Sequence, residues 1–234
     1  MATKQRNWGD SQINHPAVFD ELKQHLSKAD SVQPVCEDFL DGLGVIVHGA
    51  LTPEECKGVI SVSEKKGYQA ALDYCHLYRD RLNDRFMSDD IQLAQFLWER
   101  VQRFIPKEIV SPFDKDQTWK LDAMPINERF RFCKYIGGNG HHFGAHTDGM
   151  YRVDNTHTSL LTCMVYLNGG DEFEGGLTNF IELKTRRLKH SVKPEPGLCV
   201  IFRQANLDCY HEGTEVTKGL KYIMRTDVMY HREE

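Results

Sequence analysis

From about residue 118 onward the chain is a series of short apolar or alternating runs separated by Gly, Asn, Asp and Pro. That punctuation favours many short strands and limits the fold to a β-sandwich or barrel. The pattern predicts strands over residues 129–136, 142–147, 159–167, 178–181, 191–192, 198–202, 211–214 and 220–230.

The earlier half reads differently. Residues 44–48 predict a strand. Thr52-Pro53-Glu54-Glu55 has the chemistry of a helix start. Thr52 can cap, Pro53 suits the first turn, and Glu55 completes a capping box. That helix should reach Lys66 and stop at Gly67. From Asp89, apolar residues at 91, 93, 94, 97, 98, 101 and 104 mark one face of a second helix, closed by Pro106. HPAVFDELKQHLSKAD predicts a short helix near the start, and residues 74–87 predict a loop between short strands. The expected class is α+β, with N-terminal helices packed against a C-terminal β-core. The support region of helices and strands is 1–117 and the core 118–234, in one compact domain.

Hydrophobic residues make up 40% of the chain and charged residues 27%, with a formal net charge of -5. Lys and Arg form no long basic run, so no nucleic-acid partner is expected. No stretch reaches the roughly 18 apolar residues of a membrane span. The polar N-terminus lacks a secretory core. The 7 cysteines are widely spaced without a CxxC pair. They read as reduced thiols, which predicts a cytoplasmic protein.

The segment His141-His142-Phe143-Gly144-Ala145-His146-Thr147-Asp148 carries the chemistry. On a strand, residues i and i+2 share a face, so His146 and Asp148 can grip one ion together. His211 opens a later strand and is the third candidate ligand. Two imidazoles and one carboxylate leave coordination positions open. That set suits non-haem Fe(II) and O2 better than a closed zinc site.

RFRFCKYIGGNGHHFGAHTDG, SLLTCMVYLNGGDEFEGGLTNF, KPEPGLCVIF and HEGTEVTKGLKYIMRTDVMY together resemble the prolyl 4-hydroxylase-like branch of the Fe(II)/2-oxoglutarate dioxygenases. The resemblance implies a double-stranded β-helix (jelly-roll) core over residues ~118–232, and His146, Asp148 and His211 as metal ligands. It implies Fe(II), 2-oxoglutarate and O2 as cofactors and cosubstrates, with ascorbate a candidate reductant. The implied reaction hydroxylates a C–H bond of a small molecule or of a prolyl or other residue, releasing succinate and CO2. Halogenases of the superfamily lack the carboxylate at the position of Asp148, so oxygen transfer is the expected outcome.

Lys221 stands where the resembling family places its cation for the far carboxylate of 2-oxoglutarate. Residues 221, 223 and 225 share one strand face, so Arg225 is the alternative. The resemblance also implies Tyr135 and Tyr166 in this pocket, and Thr178 is a further candidate. Thr162, Met164 and Tyr166 share a face and can form its floor. In the family the segment before the core folds over the site mouth. Loop 74–87 is expected there, with Asn83 and Arg85 as candidate substrate contacts. His142 and Arg152, beside the metal strand, are candidates for the entrance. Two alternatives stay open: a non-catalytic Fe(II)/2-oxoglutarate sensor, and a cupin-like metalloenzyme independent of 2-oxoglutarate.

Overall fold

The computed structural model of this chain describes residues 14–15, 17–27, 32–71, 81–111 and 113–233. Eight strands build the core: β1 (Arg129–Ile136), β2 (His142–His146), β3 (His157–Tyr166), β4 (Thr178–Ile181), β5 (Leu188–Val192), β6 (Cys199–Arg203), β7 (His211–Gly213) and β8 (Val216–His231). These strands fall into two sheets. A large sheet contains the order β1-β8-β3-β6, and a small sheet the order β5-β4-β7-β2. Every one of these pairings is antiparallel. This is the jelly-roll core expected from the resemblance.

The period-2 alternation of each strand divides its side chains between two apolar layers. On β1, Phe130 and Phe132 face the helical side while Cys133 and Tyr135 face the small sheet. On β8, Tyr222 and Met224 take the helical side and Ile223 the inter-sheet side. The inter-sheet layer also holds Tyr166, Phe180 and Phe202, each nearly or fully buried.

The helices cover the outer face of the large sheet. α1 (Phe19–Leu22), α2 (Pro53–Lys66) and α3 (Ile91–Val101) supply Leu22, Val59 and Leu97 to that layer. The capping box on α2 is complete: Thr52 Oγ1 accepts from Glu55 N at 3.1 Å, and Thr52 N donates to Glu55 Oε2 at 2.7 Å. Thr52→Ala should cost about 1 kcal/mol of stability, read as a lower denaturant midpoint at constant slope. An unchanged midpoint would contradict it. Asp90 caps two helices at once. Its Oδ1 accepts from Leu93 N at 3.0 Å, and its Oδ2 accepts from Val18 N and Phe19 N at 2.7 Å each.

The helices at 53–66 and 91–101 and the strands at 44–48, 129–136 and 178–181 lie where the periodicity puts them. Two expectations need correction. The first helix spans Phe19–Leu22 among the described residues, much less than its sequence pattern suggests. The segment 74–87 is not simply a loop. Arg81–Leu82 pairs with β2 in the small sheet, while Asp84–Asp89 pairs with β1 in the large sheet. Tyr78 and Arg79 lie outside the described residues. Strands flank the core on its N-terminal side as well. Val35–Phe39, Gly44–His48 and Thr118–Ile126 all extend the large sheet. Among the described residues no helix is long and apolar enough to cross a membrane.

Candidate metal centre and cosubstrate cavity

β2 and β7 are neighbours, and their register sets His146 directly opposite His211. Opposed residues on one face of an antiparallel pair stand close enough for their side chains to share a ligand. The two imidazole centroids are 4.4 Å apart. Asp148 lies just beyond the end of β2, and its carboxylate turns back to the same point. One ligand atom from each of His146, Asp148 and His211 lies within 4.8 Å of the others.

The backbone fixes both tautomers. His146 Nδ1 lies 2.8 Å from Gly144 O, and His211 Nδ1 lies 2.8 Å from Cys209 O. A carbonyl oxygen accepts and never donates, so each Nδ1 carries the proton. In the neutral ring each Nε2 then keeps its lone pair for a metal. Burial lowers the His211 pKa to about 4, which keeps the ring neutral and able to coordinate.

Asp148 is held from two sides. Thr162 Oγ1 donates to Oδ2 at 2.6 Å, and Arg225 Nη2 lies 3.2 Å from Oδ1. Burial would raise this carboxyl, but the Arg225 guanidinium and the two imidazoles outweigh it and hold the pKa well below the usual carboxylate range. Behind Arg225 stands Asp227, which pairs with Arg225 at 3.3 Å and with Arg131 at 3.1 Å.

A cavity between the sheets joins this trio to Lys221, Tyr135 and Thr178. Lys221 is 4% exposed and its Nζ donates to Gly176 O at 2.6 Å. The rings of Tyr135 and Tyr166 flank it, with centroids 5.3 and 5.4 Å away. Among the described residues it meets no carboxylate. Burial therefore pulls its pKa down to about 7. Tyr166 is fully buried and donates its hydroxyl to Thr178 Oγ1 at 2.6 Å, so Thr178 stands between it and the cavity. Arg225 lines the metal end, held by Asp148 and Asp227.

The candidate substrate residues fall elsewhere. Asn83 and Arg85 are buried outside the cavity lining, and Arg152 is exposed beside an isolated bridge to Thr158. His142 does not share a face with His146. Between Phe143 and His146 the β2–β7 register shifts by one residue, a β-bulge. The bulge turns Phe143 onto His146, with rings stacked at 3.7 Å, while His142 Nδ1 donates to Gly140 O at 2.6 Å. The sequence reading missed Arg81 and Arg131, which both line the cavity. Arg131 was legible, since it alternates in phase with Cys133 and Tyr135. Arg81 was not, because its pairing with Phe143 on β2 is long-range.

The donor set fits the group the resemblance implies. Two imidazole nitrogens and an ionised carboxylate converge, and across the same cavity stands a buried amine that meets no carboxylate among the described residues. Residues 130–226 match the family model described as the 2OG-Fe(II) oxygenase superfamily. The fold is similar to that of a viral collagen prolyl hydroxylase from Paramecium Bursaria Chlorella virus-1, solved with 2OG. The two are 21% identical with a TM-score of 0.56, over 83% of this chain and 100% of that one. It is also similar to a Pseudomonas putida prolyl-4-hydroxylase, at 14% identity and TM-score 0.53, over 83% and 97% of the chains. A Trichoplax adhaerens prolyl hydroxylase in complex with a hypoxia inducible factor peptide fragment gives 14% and 0.53, over 80% and 83%. Over its core at residues 130–226 this chain is thus similar to the 2OG-Fe(II) oxygenase superfamily, and its fold is that of the prolyl hydroxylases it resembles.

Proposed function

We propose that His146, Asp148 and His211 hold one Fe(II) ion and that Lys221 receives the far carboxylate of 2-oxoglutarate. The chain then hydroxylates a C–H bond of a small molecule or of a prolyl or other residue in a peptide. One observation carries this reading. A trio with its Nε2 atoms turned to one point and a buried amine that meets no carboxylate among the described residues share a single cavity.

Bound iron supplies the activation of O2 that C–H hydroxylation needs, with ascorbate as a candidate reductant. The protein's part is positioning and electrostatics. The Gly144 and Cys209 carbonyls hold the imidazoles in the metal-binding tautomer. Thr162 and Arg225 orient Asp148 and keep it ionised. Lys221, Tyr135 and Thr178 form the far end, where an anion gains a charge-assisted hydrogen bond in a site shielded from water. Arg225 is already engaged by two carboxylates, which favours Lys221 over Arg225 as the cosubstrate's partner.

The test is succinate formation from 2-oxoglutarate by the full chain. Release should require both Fe(II) and O2 and should stop when a chelator removes the metal. Succinate formation that persists after chelation would overturn the assignment.

A further inference from the structure

Four cationic side chains line the cavity among the described residues: Arg81, Arg131, Lys221 and Arg225. Two carboxylates touch that group. Asp148 lines the cavity, and Asp227 lies behind Arg131 and Arg225. With Lys221 charged, two positive charges remain in excess. A divalent metal ion and dianionic 2-oxoglutarate cancel each other, so loading the site leaves that excess in place. Lys221 is buried and the three arginines are half-buried, so the excess makes the cavity electropositive and suited to one more anion.

Arg81 is the group placed to receive it. It sits opposite Phe143 on the edge of the small sheet. Its guanidinium lies over the Phe143 ring, 4.4 Å from the centroid, and Phe143 in turn stacks on His146. This cation–π contact fixes the plane of the guanidinium beside a metal ligand. Asn83 fixes its rotation, since Arg81 Nε donates to Asn83 Oδ1 at 2.7 Å. The far end meets a single thiol, Cys133 Sγ, 3.8 Å from Nη2. No carboxylate among the described residues pairs with Arg81. A guanidinium held in place, with only a weak thiol acceptor at its terminal fork, is preorganised for a bidentate oxyanion.

We propose that the oxidised substrate carries a carboxylate and that Arg81, positioned by Asn83 and Phe143, binds it next to the metal. This rests on the dioxygenase reading above. Arg131 adds to the field, while its pairing with Asp227 makes it a lesser direct partner. The inference assigns Asn83 a positioning role and moves the substrate contact from Asn83 and Arg85 to Arg81.

The experiment uses the full chain loaded anaerobically with Mn(II) and 2-oxoglutarate, so that binding is read without turnover. The probes are matched N-acetyl amino acids and their C-terminal amides. Proximity is read from the paramagnetic relaxation that Mn(II) imposes on probe protons. Acids should bind near the ion at least about tenfold more tightly than their amides. Arg81→Gln should erase that preference while 2-oxoglutarate affinity stays within about twofold. Arg81→Lys should restore part of it, because the charge returns without the fork. Equal binding of acids and amides, or a preference that survives Arg81→Gln, overturns the proposal. So does loss of 2-oxoglutarate binding in Arg81→Gln, which would place Arg81 in the cosubstrate site. Failure of the wild-type chain to bind Mn(II) and 2-oxoglutarate at all would instead overturn the dioxygenase assignment beneath it.

Discussion

His211→Ala protein is expected to keep its fold, lose tight binding of Fe(II) or Mn(II), and release no succinate above background. His211 supplies one of three ligand atoms that lie within 4.8 Å of one another. Substitutions of groups that merely support a ligand typically cost about 10–100-fold in metal affinity. Removing a ligand itself should exceed that range. His211 is the cleaner choice of the trio. Its ring packs edge-on against Phe202, and among the described residues it forms no ion pair outside the trio. Asp148→Ala is more disruptive, because Arg225 would lose one of its two carboxylate partners. Metal titration followed by electron paramagnetic resonance, with circular dichroism as the check on folding, decides the matter. Affinity retained within a few fold would remove His211 from the coordination set.

Lys221→Met should have opposite effects on cosubstrate binding and on stability. A buried carboxylate left without its cation costs about 3–5 kcal/mol, so 2-oxoglutarate affinity should fall by two or more decades. The free protein should become more stable, because methionine fills the space without a desolvated charge. The pH dependence has a definite sign. Burial takes Lys221 from an ordinary value of 10.5 to about 7, with Tyr135, Tyr166 and Cys133 as the titratable groups around it. Below pH 7 the amine is charged before 2-oxoglutarate arrives, and its contribution to affinity is flat. Above pH 7 a proton must be taken up on binding, so affinity should fall by up to about tenfold per pH unit. Lys221→Met should abolish that slope. The stability gain follows the same titration. It is largest below pH 7, where folding must bury the charged amine. It then shrinks as pH rises toward the unfolded-state value of about 10.4. Calorimetric titration of 2-oxoglutarate between pH 6 and 9, with thermal unfolding of both proteins, tests every part. A variant that binds 2-oxoglutarate as wild type does would sink the Lys221 assignment.

Much of this architecture could be read locally. Helix ends follow from capping chemistry, and Thr52 and Glu55 make the contacts their spacing implies. Strand faces follow from parity, which put residues 221, 223 and 225 on one side before any pairing was known. Strand limits were less legible. β8 begins at Val216, four residues ahead of the apolar run that announced it, because Gly175 and Phe173 pair with its polar start. The segment 74–87 was misread for a similar reason. Its charged and aromatic residues carry no clear alternation, yet the chain there crosses from one sheet to the other at Asn83.

By itself, then, the sequence determined which residue types could chelate a metal, which side of each strand they occupy, and where the helices start and stop. Those properties depend on neighbours a few residues away. Only the tertiary structure decided that His211 lies opposite His146, and that a bulge turns Phe143 in place of His142 toward the metal ligands. It also decided that Arg225 is taken up by Asp148 and Asp227 while Lys221 meets no carboxylate among the described residues. Register, bulges and charge partners join residues tens of positions apart, and no local periodicity encodes them.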